Sequence, residues 1–485
     1  MKTVTGIIRG VEPSQLHYQA AQAAARILHE AGYEAFIIGG AVRDILLGEH
    51  PKDFDLATNA SPEEILKLPG FEHSQYQDTA QAYGVTRVHV AITDDDGAQH
   101  QPHLEIATYR RDIEAHLGRK QTKVAFSTLE DDVKRRDLTI NALALDPDVN
   151  QVVDLVNGID DLDNRIVRMV GEPEVRLQED PLRLLRAIRF KNQLGFEFAA
   201  STETAIKQAT QQQLPRQINP QRIAFELSSM LMHRNRVFAL KDLDRLGVLE
   251  QLLPEVAALH GVQQPPELHA EGDVWEHTLL TLQFLPDIVS PQLAWAALLH
   301  DIGKPTTSQD SATTGDRIRF SDHHAQGAQI AHTILKRLHF GRRFRNNVAW
   351  LVHYHLAIDD LPHMRPGRAR QFMSHPAFAD LLELHKADAH AAWSRNSNGS
   401  IDTSAADFSE LEQLWAAFQA ESHQRPPSLK QDLGIDGTWL MDRYELPAGP
   451  QLGYVLEQLQ EAYVDGEIAN EEEAKSLIEQ LLRSQ

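Results

Sequence analysis

Apolar and polar positions follow two different periods along this chain. The apolar run at residues 35–38, which ends at two glycines, predicts a buried strand, and residues 85–92 and 103–108 alternate as half-buried strands do. Over residues 177–253, and in most segments of 274–417, apolar positions recur with the helical period instead. The pattern therefore predicts an α/β domain, a small mixed sheet with helices, followed by mostly α-helical domains.

Local signals place the elements around the first strand. Residues 14–31 form an alanine-rich amphipathic pattern that ends at Gly32 and predicts a helix. After the strand and its glycines a helix is expected from Val42, and the sequence DFDLAT is predicted as the next strand. Ser61, followed by a proline and two glutamates, is typical of a helix start. This alternation of helices and strands is expected of an α/β domain.

Composition sets the broad class. A chain of 485 residues is too long for one hydrophobic core, so two to four domains are expected, with boundaries near residues 265–266, 394–404 and 425–427. No stretch has the ~18 apolar residues of a membrane span. The N-terminus lacks the apolar core of a signal peptide and there is no cysteine, so we expect a cytoplasmic protein. The net charge of −22 argues against non-specific coating of nucleic acid but allows a local basic groove.

Paired aspartates provide the first candidate chemistry. Asp53 and Asp55 are separated by one residue of a predicted strand, so their carboxylates are expected on one face. Such carboxylates repel each other unless a cation or proton intervenes, and Mg2+ binds oxygen ligands of this kind while it keeps waters and substrate phosphates. Gly39 and Gly40 would let the backbone approach a phosphate at a helix start. Each motif is common alone, but the order of glycines and then aspartates indicates a metal and phosphate site.

A site for two ions needs a third acid, and Glu105 alternates correctly to point inward beside the pair. Glycines, paired aspartates and a later acid between apolar residues resemble the nucleotidyltransferase superfamily of DNA polymerase β. The segments RRDLTINALALD, VDLVNGIDDL and EDPLRLLRAIRF follow in the order and spacing of class II tRNA nucleotidyltransferases, the CCA-adding enzymes. The resemblance covers about residues 35–231.

The resemblance implies a role for each segment. Arg136 would fork onto triphosphate oxygens and Asp137 would accept from ribose hydroxyls, with Asn141, one helical turn later, orienting them. Asp180 and Arg183 would read the Watson–Crick edge of cytosine or adenine, although an aspartate before a proline is also an ordinary helix cap. The implied nucleotide-binding residues are Gly39, Gly40, Arg43, Arg136, Asp137, Asn141, Asp180, Arg183, Arg186 and Arg189, and the implied catalytic acids are Asp53, Asp55 and Glu105, the first two as Mg2+ ligands.

The product of the reaction stays open at this point. Residues 107–134 resemble the full-length flexible loop with which relatives switch from C to A, which favours CCA or A addition, but the segment departs from the common pattern at 118–122. Bacterial poly(A) polymerase belongs to the same class and is the nearest alternative. Its GRRFR signature is absent between the first two motifs and occurs at residues 341–345, where we interpret it as coincidence.

A second set of candidates lies in the helical half. The segment WAALLHDIGKP sets His300 and Asp301 at the end of an apolar helix, and imidazole with carboxylate suits a transition metal that activates water. The further members of the pattern are His277, His323, one of His353 or His355, and Asp388. Over about residues 274–390 this pattern resembles the HD phosphohydrolase superfamily. The resemblance implies Ni2+, Mn2+ or Co2+, with phosphohydrolase activity or a tRNA-binding scaffold as alternatives. His323 is preferred to His324 by spacing alone.

Together these motifs predict Mg2+-dependent addition of CCA, or part of it, to tRNA 3′ ends from CTP and ATP without a nucleic-acid template. The expected domains are a nucleotidyltransferase domain at 1–150, a nucleotide-selecting and tRNA-binding region at 151–262, an HD-type metal domain at 263–395 and a helical C-terminal tail at 396–485. The alternatives are a poly(A) polymerase, an HD phosphohydrolase with a binding-only N-terminal half, and an RNA-binding scaffold. No membrane partner is expected, and the oligomeric state stays open.

Overall fold

The structure is a computed structural model. It describes residues 2–5, 16–73, 84–94, 97–112, 124–265, 267–309, 318–395, 401–403, 407–422, 428–444, 446–447, 449–464 and 467–483. The chain divides into two compact units, residues 1–254 and 255–485. Among the described helices, none is both long enough and apolar enough to cross a membrane. The division into four domains stays a prediction.

An eight-stranded mixed sheet forms the centre of the first unit. The strands of this unit are β1 Lys2–Thr5, β2 Ala35–Ile38, β3 Asp55–Thr58, β4 Phe71–His73, β5 Val85–Val90, β6 Ile92–Thr93, β7 Gln99–His100, β8 His103–Thr108, β9 Arg110–Asp112, β10 Val124–Phe126, β11 Ala144–Asp146, β12 Gln151–Asp154, β13 Ile166–Val167 and β14 Glu197–Phe198. The sheet has the order β1-β12-β11-β2-β3-β8-β5-β4. β3 and β8 run parallel, and the other neighbours in this sheet run antiparallel.

The β2–β3 pair carries the predicted glycines and aspartates. β2 is a buried apolar strand, as predicted, and its last residue, Ile38, lies opposite Asp55. β3 begins at Asp55, so Asp53 precedes the strand, whereas the sequence predicted both aspartates within it. Phe54 between them is buried and contacts Tyr18, with 5.5 Å between ring centroids. Because Phe54 points into the core, the exposed aspartates on either side of it are turned outward.

Helices alternate with the strands of the sheet and form most of the chain after residue 154. The helices as far as residue 257 are α1 Leu16–Glu30, α2 Gly40–Leu46, α3 Pro62–Ile65, α4 Leu129–Lys134, α5 Gly158–Asp163, α6 Pro173–Glu179, α7 Leu182–Leu194, α8 Ala200–Gln211, α9 Pro220–Leu231, α10 Arg236–Arg245, α11 Val248–Leu252 and α12 Pro254–Ala257. Ser61 caps α3 in a reciprocal capping box with Glu64, as the sequence predicted. The helical turn expected between Asp137 and Asn141 is wrong: Leu138 bridges to Met169, and residues 139–141 form a 3-10 turn.

The second unit is almost entirely helical. Its helices are α13 Val274–Phe284, α14 Pro291–Leu299, α15 Lys304–Thr307, α16 His323–Arg337, α17 Arg342–Tyr354, α18 Pro366–Met373, α19 Phe378–Ala391, α20 Ser409–Ser422, α21 Gly437–Tyr444, α22 Pro450–Val464 and α23 Glu471–Arg483. α13 packs on α19, α16 packs on α17, and Trp295 of α14 is fully buried. The last helices share a core that includes Leu440, Val455 and Ile478. An α/β N-terminal region followed by mostly helical sequence is therefore confirmed.

Candidate active site and metal centre

Three acids come together at the start of the parallel strands. In the pairing of β3 with β8, Leu56 lies opposite Ile106, so Asp55 and Glu105 occupy the preceding position of the same register. The pKa of Asp55 is raised, first by partial loss of solvent around its carboxylate and then by the negative charges of Glu105 and Asp53, which outweigh Arg136. The predicted acids therefore form one cluster in which negative charges oppose each other.

Glu105 has a partner that sequence reasoning missed. Arg87 lies opposite it on β5, and its Nε donates to the Glu105 carboxylate at 2.8 Å. The signal was available in the sequence, because alternation in residues 85–90 puts Arg87 on an exposed position between buried residues. Arg87 holds one carboxylate of the cluster in place at the edge of the site.

Two arginines lie against the glycine turn. Gly39 has φ +79°, which disfavours other residues, and a Cβ there would lie 3.8 Å from Arg136 Nη1. A Cβ on Gly40 would lie 3.5 Å from Arg43 Nη2. Arg43 is buried and donates to the Asn141 side chain at 2.7 Å. The structure thus places Gly39, Gly40, Arg43, Arg136 and Asn141 around one turn.

A buried carboxylate orients the arginines that precede the 3-10 turn. Asp132 of α4 accepts from Arg135 at 2.7 Å and from Arg136 at 2.9 Å. Although burial would raise it, the pKa of Asp132 is lowered by Arg136 and Arg135. Sequence reasoning missed Asp132, although it lies three and four residues before the two arginines, a spacing at which side chains at a helix end can meet.

Arg186 and Arg189 of α7 are each paired with a carboxylate. Arg186 Nε donates to Asp137 at 2.6 Å, and Arg189 Nε donates to Glu226 of α9 at 2.6 Å. Phe190 carries three guanidinium groups at its ring: Arg189 lies 4.2 Å, Arg43 4.8 Å and Arg186 5.5 Å from the centroid. Phe190 and Glu226 were not among the predicted site residues. They link the glycine turn, the 3-10 turn and α7 into one network.

The two predicted base-reading residues have different partners. Both carboxylate oxygens of Asp180 accept from Arg222, at 2.8 and 3.1 Å. Arg183 is buried and donates to Glu179 and to the backbone carbonyl of Arg135, each at 2.8 Å. Sequence reasoning missed Arg222, although its spacing from Glu226 puts both on the same side of α9.

The HD residues converge in the second unit. His300 Nε2 lies 3.2 Å and His277 Nε2 3.8 Å from Asp301 Oδ2, while His323 Nε2 lies 3.4 Å and His355 Nε2 4.0 Å from Asp301 Oδ1. Asp388 Oδ1 lies 2.8 Å from His277 Nε2. Ligand atoms of His277, His300 and Asp388 lie within 4.8 Å of one another, and so do those of Asp301, His323 and His355. His355 is thereby the member of the cluster, and His353 contacts the ring of His324 instead.

Every imidazole in this cluster is oriented through its other nitrogen. The Nδ1 atoms lie within hydrogen-bond distance of oxygens: His300 of Ala297 O, His323 of Phe320 O, His355 of Val352 O and His277 of the Glu271 carboxylate. All four Nε2 atoms therefore face the centre. Those of His300 and His323 are buried without a hydrogen-bond partner. This is the arrangement that metal-binding imidazoles need, and it fits a transition metal.

Electrostatics in the cluster follow from these contacts. Burial alone would lower the pKa of His277, but its hydrogen bonds to Asp388 and Glu271 raise it to about 9. Burial lowers the pKa of His355 to about 4. Burial would raise the pKa of Glu271, but hydrogen bonds with His269 and His277 lower it to about 2. Sequence reasoning missed Glu271, which stands six residues before His277 in an irregular segment.

Two further residues shape the cluster. Lys304 Nζ lies 2.6 Å from Asp301 Oδ2 and donates to Gln264 at 2.7 Å. A Cβ on Gly303 would overlap the carbonyl oxygen of His323, so the turn after Asp301 packs backbone against backbone at the start of α16. Gly303 thus fixes the distance between the two ends of the histidine cluster.

Comparisons with known proteins agree with this geometry. Residues 35–168 match the family described as the poly A polymerase head domain, and residues 195–259 match a probable RNA and SrmB-binding site of polymerase A. Residues 274–387 match the HD domain. The head-domain match contains the three acids, and the HD-domain match contains the four histidines of the metal cluster.

Solved structures share the fold over nearly the whole chain. A Bacillus stearothermophilus CCA-adding enzyme in complex with CTP is 24% identical, with a TM-score of 0.67 over 97% of this chain and 98% of that one. CCA-adding enzyme complexes with CTP and with ATP are 19% and 18% identical, with TM-scores of 0.54 and 0.53, each over 98% of this chain and 96% of that one. These likenesses establish a common fold.

Head domain, acid cluster and arginine network define the protein as a nucleotidyltransferase. Residues 35–168 of the chain match the poly A polymerase head domain, and residues 274–387, later in the sequence, match the HD domain. Dependence on divalent metal ions is implied by both domains.

Proposed function

We propose that this protein transfers CMP and AMP from CTP and ATP to the 3′ end of tRNA, without a nucleic-acid template and with Mg2+. The observation that carries the proposal is the cluster of Asp53, Asp55 and Glu105 at the start of the parallel strands. Arg136 is close enough for its charge to act on Asp55, and we take Arg136 with Arg43, Arg186 and Arg189 to line the nucleotide slot of this proposal. Oxygen donors that repel one another are suited to a hard cation.

The residues of the slot divide the work of binding one nucleotide. Asp53, Asp55 and Glu105 would hold Mg2+. The bound ions would lower the pKa of the 3′-hydroxyl and neutralise negative charge on the departing pyrophosphate. Arg43 and Arg136, next to the glycine turn, bind the triphosphate. The 3′ oxygen loses its proton and bonds to the α-phosphorus, and the bond between α-phosphorus and bridging oxygen breaks to release pyrophosphate.

The remaining predicted residues orient sugar and base. Asp137, held by Arg186, accepts from the ribose hydroxyls, and Asn141, held by Arg43, supports it. Arg186 and Arg189 keep the wall of the slot positive. Asp180 and Arg183 read the base, and for this Asp180 must give up at least one of its bonds to Arg222. Selection by side chains requires no template strand.

Poly(A) addition is the second candidate, because the descriptions of two matched families name that polymerase. The fold shared with CCA-adding enzymes bound to CTP and to ATP favours CCA addition. Which of C, CC, A or CCA is added, the cytoplasmic location and the four-domain division expected from the sequence are parts of the proposal.

For the HD domain we propose a transition-metal centre, with Ni2+, Mn2+ or Co2+ held by His277, His300, Asp301, His323, His355 and Asp388. Its support is the set of Nε2 atoms that face the centre of the cluster. Such an ion would supply an activated water for phosphate-ester hydrolysis. A phosphohydrolase activity can therefore accompany nucleotide addition on the same chain.

The length of the product tests the main function. A tRNA transcript ending at its discriminator base is incubated with CTP and ATP, singly and together, and the products are resolved by one nucleotide. We expect three nucleotides with both substrates, loss of addition in Asp53→Ala, and normal addition in His300→Ala. A long adenosine tail made from ATP alone would indicate poly(A) polymerase activity instead. Nucleotide addition that is unaffected by Asp53→Ala would refute the assignment.

A further inference from the structure

The helical hairpin of α16 and α17 differs in charge from the rest of the protein. Between Asp322 and Asp359 the sequence contains no acidic residue but five lysines or arginines, although the whole chain has a net charge of −22. Four of the five basic residues, Lys336, Arg342, Arg343 and Arg345, lie at or near the turn that joins the helices without a carboxylate partner among the described residues. The hairpin turn is thus a positive surface on an acidic protein.

Several other cations of the same unit have carboxylate partners. Arg337, the fifth basic residue, donates to both carboxylate oxygens of Glu255 at 2.6 and 2.8 Å. Away from the hairpin, Lys430 pairs with Asp436 at 3.1 Å. Lys336, Arg342 and Arg343 are exposed, and the described residues offer none of them an ion-pair partner. Arg342, Arg343 and Arg345 share the first turn of α17, where like charges repel one another, so the surface is expected to have a use that offsets this cost.

The turn is rigid, so its charges keep fixed positions. His339 has φ +62°, as at the end of a helix that turns sharply. Phe340 and Phe344 stack with 4.4 Å between centroids at 12°, and Phe340 also meets the buried Trp295 edge-on at 5.3 Å. Aromatic packing on both sides of Gly341 therefore anchors the turn to the interior of the unit.

We propose that this turn, defined by Lys336, Arg342, Arg343 and Arg345, binds the phosphate backbone of RNA. Unpaired cations release condensed counterions from a polyanion when they bind it, which makes the contact favourable and independent of sequence. A protein partner would be expected to find an apolar anchor, but the large exposed hydrophobic residues of the described chain include none between residues 323 and 355. The GRRFR segment is then a binding surface rather than a chance match.

The inference rests on the proposed function only in the choice of tRNA as probe. The full-length protein is titrated into labelled tRNA transcript lacking its CCA end, and anisotropy is measured between 50 and 200 mM salt. We compare the double variant Arg342→Ala/Arg343→Ala with Lys430→Ala/Arg443→Ala, which removes the same charge from cations that lie within 4.0 Å of carboxylates. Thermal melting confirms that both variants fold.

We expect Kd for tRNA to rise about tenfold at 0.1 M salt in the hairpin variant, with a salt slope smaller by roughly 1.5 to 2, and little change in the control. Nucleotide addition should show a raised KM for tRNA at unchanged kcat. Equal affinities and slopes in the two variants would overturn the proposal, as would competition by polyglutamate in place of RNA. Failure of nucleotide addition in the wild type would leave the binding result intact, so the two hypotheses are judged separately.

Discussion

Arg222 donates from both terminal nitrogens of its guanidinium group to the carboxylate of Asp180, at 2.8 and 3.1 Å. The amino group of a bound base would donate to this same carboxylate, and the ring nitrogen of the base would accept from a neighbouring donor. Arg222 therefore fixes the plane of the carboxylate before a base arrives. If Asp180 reads the base as proposed, Arg222 of α9 would act as a positioning residue for nucleotide selection.

Arg222→Ala should lower discrimination between CTP and UTP about tenfold, because a charge-assisted hydrogen bond contributes on the order of 1.5 kcal/mol and Asp180 would be held, among the described residues, only by the backbone N–H of Leu182. The change in the free energy of unfolding should stay below about 1 kcal/mol, since the pair is exposed. kcat/KM for each nucleotide measures the effect. Arg216→Ala, an exposed arginine on the neighbouring turn, is the control, and unchanged discrimination in Arg222→Ala would exclude the role.

The acid cluster predicts opposite changes in stability and activity. Because the pKa of Asp55 is raised in the folded state, its ionised form costs stability at neutral pH, and this cost disappears as the pH falls below the folded-state pKa. Asp55→Asn should therefore raise Tm in the presence of a chelator at pH 7 but not in acid, and should reduce nucleotide addition by about a thousandfold or more. Asp163→Asn, an exposed acid elsewhere, should change neither. A lower Tm for Asp55→Asn would contradict the repulsion.

The pair between Asp137 and Arg186 predicts the reverse dependence on pH. Although burial would raise it, the pKa of Asp137 is held below its usual range by Arg186. Its stabilisation is therefore present above the unfolded-state pKa and is lost as the pH falls through the folded-state pKa. Asp137→Asn should cost about 2 to 4 kcal/mol in urea unfolding at pH 7 and less in acid. Glu197→Gln, which removes an exposed carboxylate 3.7 Å from Lys191, should cost under about 1 kcal/mol.

Neighbouring histidines provide matched variants for the metal centre. His355→Ala should weaken Co2+ binding by about ten- to a hundredfold, and His353→Ala should leave it unchanged, because His355 alone of the two faces the cluster. Binding should also weaken as the pH falls below about 9, since His277 must lose its proton before it can bind a metal. The visible absorption of Co2+ reports both effects. Equal losses in the two variants would place the metal elsewhere.

The sequence predicted the parts of the site that depend on neighbours along the chain. Alternation around Phe54 and periodicity in α7 were enough to orient Asp53, Asp55, Arg186 and Arg189. Partners brought together by tertiary packing could not be predicted in this way: Arg222 reaches Asp180 across 42 positions, and Glu226 reaches Arg189 across 37. The choice of His355 over His353 depends on the rotation of α17 against α14, which helical periodicity leaves undetermined.

A substitution at Gly303 would disrupt the metal centre of the HD domain while every proposed ligand is still present. Because a methyl group at this position would collide with a backbone oxygen, even an alanine must move the start of α16 and carry His323 away from Asp301. An allele altered at this single carbon would retain every histidine and aspartate of the motif while the geometry of the centre is lost. Surveys of related genes that count only ligand residues would therefore score such a protein as intact when it is not.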